Sequence, residues 1–205
     1  MDIDKLKLYL PKYLSSESES ELFKQLKDFP NNIDQRIYTP YLKGSPIIYQ
    51  GDGIKDLLVI QLPQTKVKKV NSVILSNTCD IDQGNKRNFP SKIIYSPLIT
   101  FSKYRESLTK SSSKNPTQLN AHFDAIRKQQ ITQIFFLPQI DGKIEDSIIF
   151  LDRIQNISND YVNRDTLSDV RLFTLSDYGI YLFLFKISIH FTRIQDKVDR
   201  KSNLK

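Results

Sequence analysis

The dipeptide Asp141-Gly142 separates two apolar, β-branched runs, and it restricts the fold of this chain more than any other feature. The runs cover residues 134–140 and 144–154. Asp-Gly adopts positive φ at low cost, as the central residues of a two-residue hairpin turn require. The pattern therefore predicts an antiparallel hairpin, and with it a fold that contains an antiparallel sheet.

Short strands are also predicted between residues 47 and 100. Four segments are rich in the β-branched and aromatic residues that favour strands: residues 47–49, 57–62, 73–75 and 93–95. Turn residues separate them, at Gly51-Asp52-Gly53, at Pro63-Gln64 and over residues 82–90. Short strands at this spacing are typical of a small barrel or sandwich.

Helices are predicted before and after these strands. Ser18 and Glu21 have the spacing of a capping box, and Pro30 ends the helix that follows. Residues 109–118 are rich in Ser, Lys, Asn and Pro and predict a surface loop, and residues 119–130 predict a second helix.

The segment 176–200 fits two patterns. Four of its residues alternate as a strand does: Phe185, Ile187, Ile189 and Phe191. Six step by three and four as a helix does: Ile180, Leu184, Ile187, Phe191, Ile194 and Val198. Length favours the helix. The predicted organisation is a helical segment (1–30), a β-rich core (31–175) with a helical insertion near 101–130, and a basic amphipathic helix (176–205).

Composition limits the classes of function. The 205 residues carry 30 Lys and Arg against 23 Asp and Glu, and the net charge of +7 favours anionic partners such as RNA or DNA. Cys79 is the only cysteine, which excludes an intrachain disulfide and a multi-cysteine zinc site. The first residues lack a secretory signal pattern, and the longest apolar run, 180–185, is far too short to span a membrane. We expect a cytoplasmic protein without a membrane partner.

Two groups of basic residues are candidates for nucleic-acid binding. On the predicted C-terminal helix a basic stripe is spaced by three and four: Lys186, His190, Arg193, Lys197 and Arg200. A second group lies among the strands: Lys66, Lys68, Lys69, Lys86, Arg87 and Lys92. The ordinary alternative for both groups is a solvated surface.

The phrase Ser76-Asn77-Thr78-Cys79-Asp80-Ile81-Asp82 follows a hydrophobic strand, where side chains often line a site. Cys79 acting as a nucleophile would need His122 or His190 close in space. The alternative is that Cys79 is a small buried hydrophobe and Asp80 caps a turn. Carboxylates could bind a magnesium ion if two converged, namely those of Asp80, Asp82, Glu145 and Asp146, but solvated hairpin charges are favoured. No metal or cofactor is predicted.

Three short motifs resemble the MazF/PemK family of small SH3-like barrel toxins, which cut RNA without metal. They are Gly51-Asp52 at a strand start, Val73-Ile74-Leu75-Ser76, and Pro97-Leu98-Ile99-Thr100. The family's catalytic arginine precedes the second motif, where this chain has Asn71-Ser72. The resemblance implies a catalytic role for Thr100, with Lys69 as the nearest replacement for the arginine charge.

Together these features predict an α+β fold: a small SH3-like β-barrel or a strongly bent antiparallel sheet, with flanking N-terminal, middle and long C-terminal helices. The leading functional hypothesis is a nucleic-acid-associated component of a bacterial defence or toxin–antitoxin-like system. One alternative is a non-catalytic protein-interaction module or homodimer that uses the C-terminal helix. Another is a metal-independent ribonuclease. Its candidate catalytic residues are Thr100, Cys79 and Asp80.

Overall fold

The structure is a computed structural model that describes residues 15–192. In that range the helices are α1 (Ser16–Lys27), α2 (Thr78–Ile81), α3 (Phe101–Ser111), α4 (Pro116–Arg127), α5 (Leu167–Val170) and α6 (Asp177–Thr192). The strands are β1 (Tyr38–Thr39), β2 (Gly53–Gln61), β3 (Lys66–Ile74), β4 (Lys92–Pro97), β5 (Ile99–Thr100), β6 (Ile134–Leu137), β7 (Ser147–Phe150), β8 (Gln155–Ser158) and β9 (Arg171–Leu175). The predicted α+β class is confirmed, and the described strands form two antiparallel sheets.

The large sheet has the order β1-β9-β2-β3-β4-β8. It bends so that β8 returns to the free edge of β2, where the N–H of Ile60 donates to Gln155 Oε1 at 3.2 Å. Nearby, the Tyr95 hydroxyl donates to Leu58 O. No backbone ladder joins these edges within residues 15–192, so the sheet does not close and the SH3-like barrel is not confirmed.

A buried ion pair explains why the predicted strand at residues 47–49 is wrong. The Arg171 guanidinium contacts Asp52 Oδ2 at 3.1 Å, and both side chains are almost fully buried. The same guanidinium donates to the carbonyls of four residues in the preceding loop: Leu42, Lys43, Ser45 and Ile47. Because arginine binds these carbonyls, the segment is irregular and does not join the sheet.

The predicted hairpin is confirmed as β6 and β7, whose register pairs Ile134 with Phe150. Its strands are shorter than predicted, and its turn contains three residues rather than two. The N–H groups of Ile140 and Ile144 donate to each other's carbonyls, and Gly142 between them has φ of 69°. β5 adds to the other edge of β7 and completes the small sheet.

Helices α3 and α4 cover the small sheet. Phe101, Phe123 and Phe136 pack together in edge-to-face contacts. α4 begins at Pro116, earlier than predicted, because Asn115 and Gln118 form a capping box. α3 extends to Ser111 and shortens the predicted loop at 109–118.

At the N-terminal side, the helix predicted before Pro30 is confirmed as α1. Its cap is Ser15, whose hydroxyl accepts the N–H of Ser18, so the predicted capping position is three residues too late. α1 buries Leu22 in the core that α6 also packs against.

α6 confirms the predicted helix up to Thr192, but its buried face differs from the predicted stripe. The buried residues are Tyr178, Gly179, Leu182, Phe183 and Lys186. By contrast, 57% of Phe191 is exposed. The predicted positions Arg193, Ile194, Lys197, Val198 and Arg200 lie outside the described residues, as do residues 1–14. The predicted division into segments at residues 30 and 175 stays a prediction.

Candidate functional site

A cleft opens where the two sheets separate. The N–H of Leu98 donates to Asn71 O at 2.7 Å, which continues the pairing of β3 with β4. The chain then leaves the large sheet, and Thr100 pairs with Ser147 on β7. A cleft of about 670 Å³ lies between the middle of β3 and the β6–β7 hairpin. Its lining residues are Lys69, Val70, Asn71, Leu98, Thr100, Gln139, Ile140, Asp141, Gly142, Lys143, Ile144, Glu145 and Ser147.

Thr100 and Lys69 both line this cleft, as the ribonuclease hypothesis requires. Thr100 is the N-cap of α3 but makes no capping hydrogen bond. Its Oγ1 is buried and has no hydrogen-bond partner among residues 15–192. The hydroxyl is therefore shielded from the open part of the cleft, and Lys69 is the more accessible of the two groups.

The wall opposite Lys69 carries charges of both signs. Lys143 donates to Leu172 O at 2.9 Å, and this contact fixes the hairpin loop against β9. Asp141 and Glu145 are exposed on the same loop. Analysis of the sequence missed this wall, because only the tertiary fold brings the hairpin loop beside the middle of β3.

The outer part of the β2–β3 hairpin lies at the surface, and we call residues 60–70 the basic arm. Residues 60–69 are all exposed, and 73% of Leu62 at the tip is accessible to solvent. The arm carries Lys66, Lys68 and Lys69 and no acidic residue. Lys68 pairs with Val59 and Lys69 with Leu58, so consecutive lysines project from opposite faces of the hairpin.

The predicted second basic group is wrong as a single surface, because the sheet divides it. Ile74 pairs with Tyr95, so Lys92 lies beyond the end of β3 that is opposite the arm. Eight strand positions separate Lys69 from the level of Lys92, a distance of roughly 25 Å. The positive charge of Arg87 is also neutralised by an ion pair, because its guanidinium contacts Asp80 Oδ1 at 2.7 Å. Lys86 lies in the same loop as Arg87 and is exposed.

Lys186 does not bind nucleic acid from a basic stripe, because only 5% of it is exposed. Its ammonium donates to Gln129 O at the C-terminal end of α4. Burial lowers the pKa of Lys186 to about 7. The neighbouring stripe position, His190, is half-buried and packs against Phe191.

The alternative roles predicted for these two residues, a small buried hydrophobe for Cys79 and a turn cap for Asp80, are also wrong. Cys79 is exposed, and Asp80 forms the ion pair with Arg87 rather than capping a turn. The capping residue is Asn77, whose side chain accepts the N–H of Cys79 at 2.9 Å. Thr78 accepts the N–H of Gln50, so much of this phrase has a structural role.

The three predicted catalytic residues do not share a cleft. Cys79 lines a separate cleft of about 300 Å³ beside α6, and the described lining of that cleft contains no histidine. His122 instead lies 2.9 Å from the Tyr104 hydroxyl, and burial lowers its pKa. A Cys–His pair is therefore not formed by this arrangement.

Three of the four acidic residues considered for a metal, Asp80, Asp82 and Asp146, already contact other groups. Asp82 accepts the N–H of Gly84, and Asp146 accepts the N–H of Gln139. Over residues 15–192, no cluster of three or more His, Cys, Asp or Glu side chains is suited to hold a metal ion.

No protein-family model matches this sequence, and no curated protein matches it either. The likeness to MazF/PemK therefore rests on the three short motifs alone. In the described part of the chain, no helix combines the length and apolar character that a membrane crossing needs.

Proposed function

We propose that this protein binds nucleic acid through the basic arm and the mouth of the cleft at its base. The supporting observation is the arm itself, which carries three lysines and no carboxylate on a hairpin whose residues 60–69 are all exposed. Lysines on an exposed hairpin can contact phosphates, and the counterions released from those phosphates favour binding. A role in a bacterial defence or toxin–antitoxin-like system belongs to the same proposal and rests on the sequence resemblance. A cytoplasmic location also belongs to it and rests on the single cysteine.

Fluorescence anisotropy with a labelled single-stranded RNA and a labelled DNA duplex, at several salt concentrations, tests this proposal. Three phosphate contacts give a slope of roughly −2 in log K against log salt for a single strand. We expect the triple substitution K66Q/K68Q/K69Q to weaken binding at least tenfold and to remove most of this slope.

The matched control is K24Q/K27Q/K128Q, which removes the same charge from exposed lysines elsewhere on the surface. Equal losses for the two triple variants would mean that net charge alone drives binding. Equal affinity of the arm variant and the wild type would also refute the proposal.

A second candidate is metal-independent ribonuclease activity, and its support is that Thr100 and Lys69 line the same cleft. Purified protein is incubated with RNA in excess chelator, alongside Lys69→Gln, Thr100→Val and Cys79→Ala variants. We expect Lys69→Gln to reduce cleavage most, since lysine supplies the charge that faces a phosphate. Cleavage that all three variants retain at the wild-type rate would exclude these residues.

The exposed side of α6 keeps the protein-interaction hypothesis open as a third candidate. Phe185 is 40% exposed, and its ring stacks on Tyr181. Apolar side chains at a helix surface are typical of contact with another chain. Light scattering of the wild type and of Phe185→Lys tests this: a dimer lost in the variant supports it, and a monomer at all concentrations argues against homodimerisation.

A further inference from the structure

One edge of β3 has no strand beside it along the basic arm. Leu98 donates to Asn71 O, so the carbonyl of Asn71 points away from β2. Peptide groups two and four residues earlier on a strand point the same way, and these belong to Lys69 and Val67. The register of the hairpin supports this orientation. Ile60 is the partner of Val67 and donates its N–H to Gln155, away from β3, so the peptide groups of Val67 point away from β2.

These outward groups are exposed, and no protein group in the described range bonds them. Among residues 15–192, no hydrogen bond is made to the outward N–H or C=O of Val67 or of Lys69. The strand that would extend the sheet beyond Leu98 turns away at residue 99 to join the small sheet. The fold thus presents a segment of strand with open donors and acceptors, and such an edge is a template for an added strand.

The cleft provides room beside this edge. Its volume of about 670 Å³ adjoins Lys69 and Asn71, and the far wall carries the apolar side chains of Ile140 and Ile144 beside the charged groups of Asp141, Lys143 and Glu145. Adjacent strands lie about 4.8 Å apart, and four positions of β3 span roughly 13 Å. The free edge can therefore hold four or five residues of an extended chain, with side chains reaching the apolar wall.

The charge of the arm indicates which side chains an added strand would carry. Two copies of the arm paired edge to edge would bring the lysines of one arm close to those of the other, and facing like charges are destabilising. Carboxylates opposite these lysines give the favourable pairing. An acidic segment is thus favoured over a second copy of this chain.

We propose that β3 accepts an extended acidic segment of a partner protein as an added antiparallel or parallel strand along residues 66–70. Main-chain hydrogen bonds to Val67 and Lys69 supply the affinity, and the lysines supply the preference for acidic side chains. This activity is separate from nucleic-acid binding and does not depend on it.

The orientation of the β3 peptide groups allows a selective test. Proline at position 67 removes an N–H that points outward, so the ladder between β2 and β3 keeps its hydrogen bonds. The substitution Val67→Pro also leaves all three lysines in place. Val67→Thr is the matched control, because threonine changes the side chain but retains the N–H.

The probe is a fluorescein-labelled synthetic peptide, Glu-Val-Glu-Val-Glu-Val-Glu with blocked ends. Two further probes are the same peptide with N-methylated valines and a version with lysine replacing glutamate. We expect the wild type and Val67→Thr to bind the first probe equally in anisotropy measurements. We expect at least tenfold weaker binding for Val67→Pro, for the N-methylated probe and for the lysine probe.

Several results would overturn this proposal. One is that the first probe does not bind at 1 mM. Another is that Val67→Pro binds it as tightly as the wild type does. A third is that the N-methylated probe binds equally well, which would mean that charge alone holds the peptide. Concentration-dependent dimerisation that Val67→Pro abolishes would assign the edge to a second copy instead. If Val67→Pro fails to fold, the N-methylated probe on the wild type decides alone.

The two proposals can fail independently. Val67→Pro retains Lys66, Lys68 and Lys69, so we expect its RNA and DNA binding to match the wild type. Loss of peptide binding with normal oligonucleotide binding supports strand addition. Oligonucleotide binding that fails in the wild type leaves the peptide result unaffected.

Discussion

The buried Lys186 makes a quantitative prediction for the pH dependence of stability. Its side chain is 5% exposed, its ammonium contacts Gln129 O, and no carboxylate among residues 15–192 forms an ion pair with it. Burial lowers the pKa of Lys186 to about 7 from an ordinary value of 10.5. Between these two values the unfolded chain binds one proton more than the folded chain, so the free energy of unfolding rises with pH.

The magnitude follows from proton linkage. One extra proton in the unfolded state adds about 1.4 kcal/mol to the free energy of unfolding for each pH unit. From pH 7.5 to 9.5 the contribution of Lys186 is therefore about 2.5 kcal/mol. The range ends there because burial also raises the pKa values of Tyr38 and Tyr178, whose ionisation opposes folding at higher pH.

Urea denaturation of the wild type and of Lys186→Met, at pH 7.5 and 9.5, measures this contribution. The difference between the two proteins should change by about 2.5 kcal/mol in favour of the wild type as the pH rises. This change does not depend on how well methionine packs, because packing affects both pH values equally. Lys128→Met, at an exposed lysine near the same end of α4, serves as the control.

A change below about 0.5 kcal/mol in that difference would refute the reasoning, since it would mean that Lys186 keeps an ordinary lysine pKa in the folded protein. The same change in Lys128→Met would show that the effect does not come from burial.

Three further predictions concern stability and can be measured by urea denaturation at pH 7.5. Arg171→Met should lower the free energy of unfolding by about 3–5 kcal/mol, because it leaves the Asp52 carboxylate buried without its partner; a loss under 1 kcal/mol would contradict the buried network. Gly179→Ala should lower the free energy of unfolding by about 3 kcal/mol, since an added Cβ would lie 2.1 Å from Ile37 O. Gly44→Ala is the control and should change this free energy little, because a Cβ there meets nothing within 4 Å. Cys79→Ala should change stability by less than about 0.5 kcal/mol because Cys79 is exposed, and a larger loss would place its thiol in a packed site.

The elements predicted best are those whose structure is set by neighbours in the sequence. The hairpin around Asp141-Gly142 is confirmed because turn chemistry and two adjacent strands specify it locally. The loop at residues 42–49 could not be predicted, because its conformation depends on Arg171, more than 120 positions later in the chain. Its Ile47-Ile48-Tyr49 sequence has strand propensity, and the long-range hydrogen bonds to Arg171 override it.

The buried face of α6 shows a second limit of sequence patterns. α6 is apolar around most of its circumference, so spacing by three and four fits several faces equally well. The face that packs includes Gly179, which permits the close approach of Ile37 O, and Lys186, which binds the end of α4. Both contacts are tertiary, and the position of Lys186 on the helix therefore gave no indication that its charge is buried.

The candidate site depends on a single departure of the chain from the large sheet. If β4 had continued past Leu98, it would have covered the outward peptide groups of Lys69 and Val67, and there would be no cleft. The turn at Ile99 leads into β5 because the small sheet, not the large one, pairs with this segment. The lysine run could therefore be recognised from sequence as a basic surface, but the free backbone edge that gives it a second possible partner could not. Blocking that edge with Val67→Pro separates the two roles, because it changes a hydrogen-bond donor and leaves every charge in place.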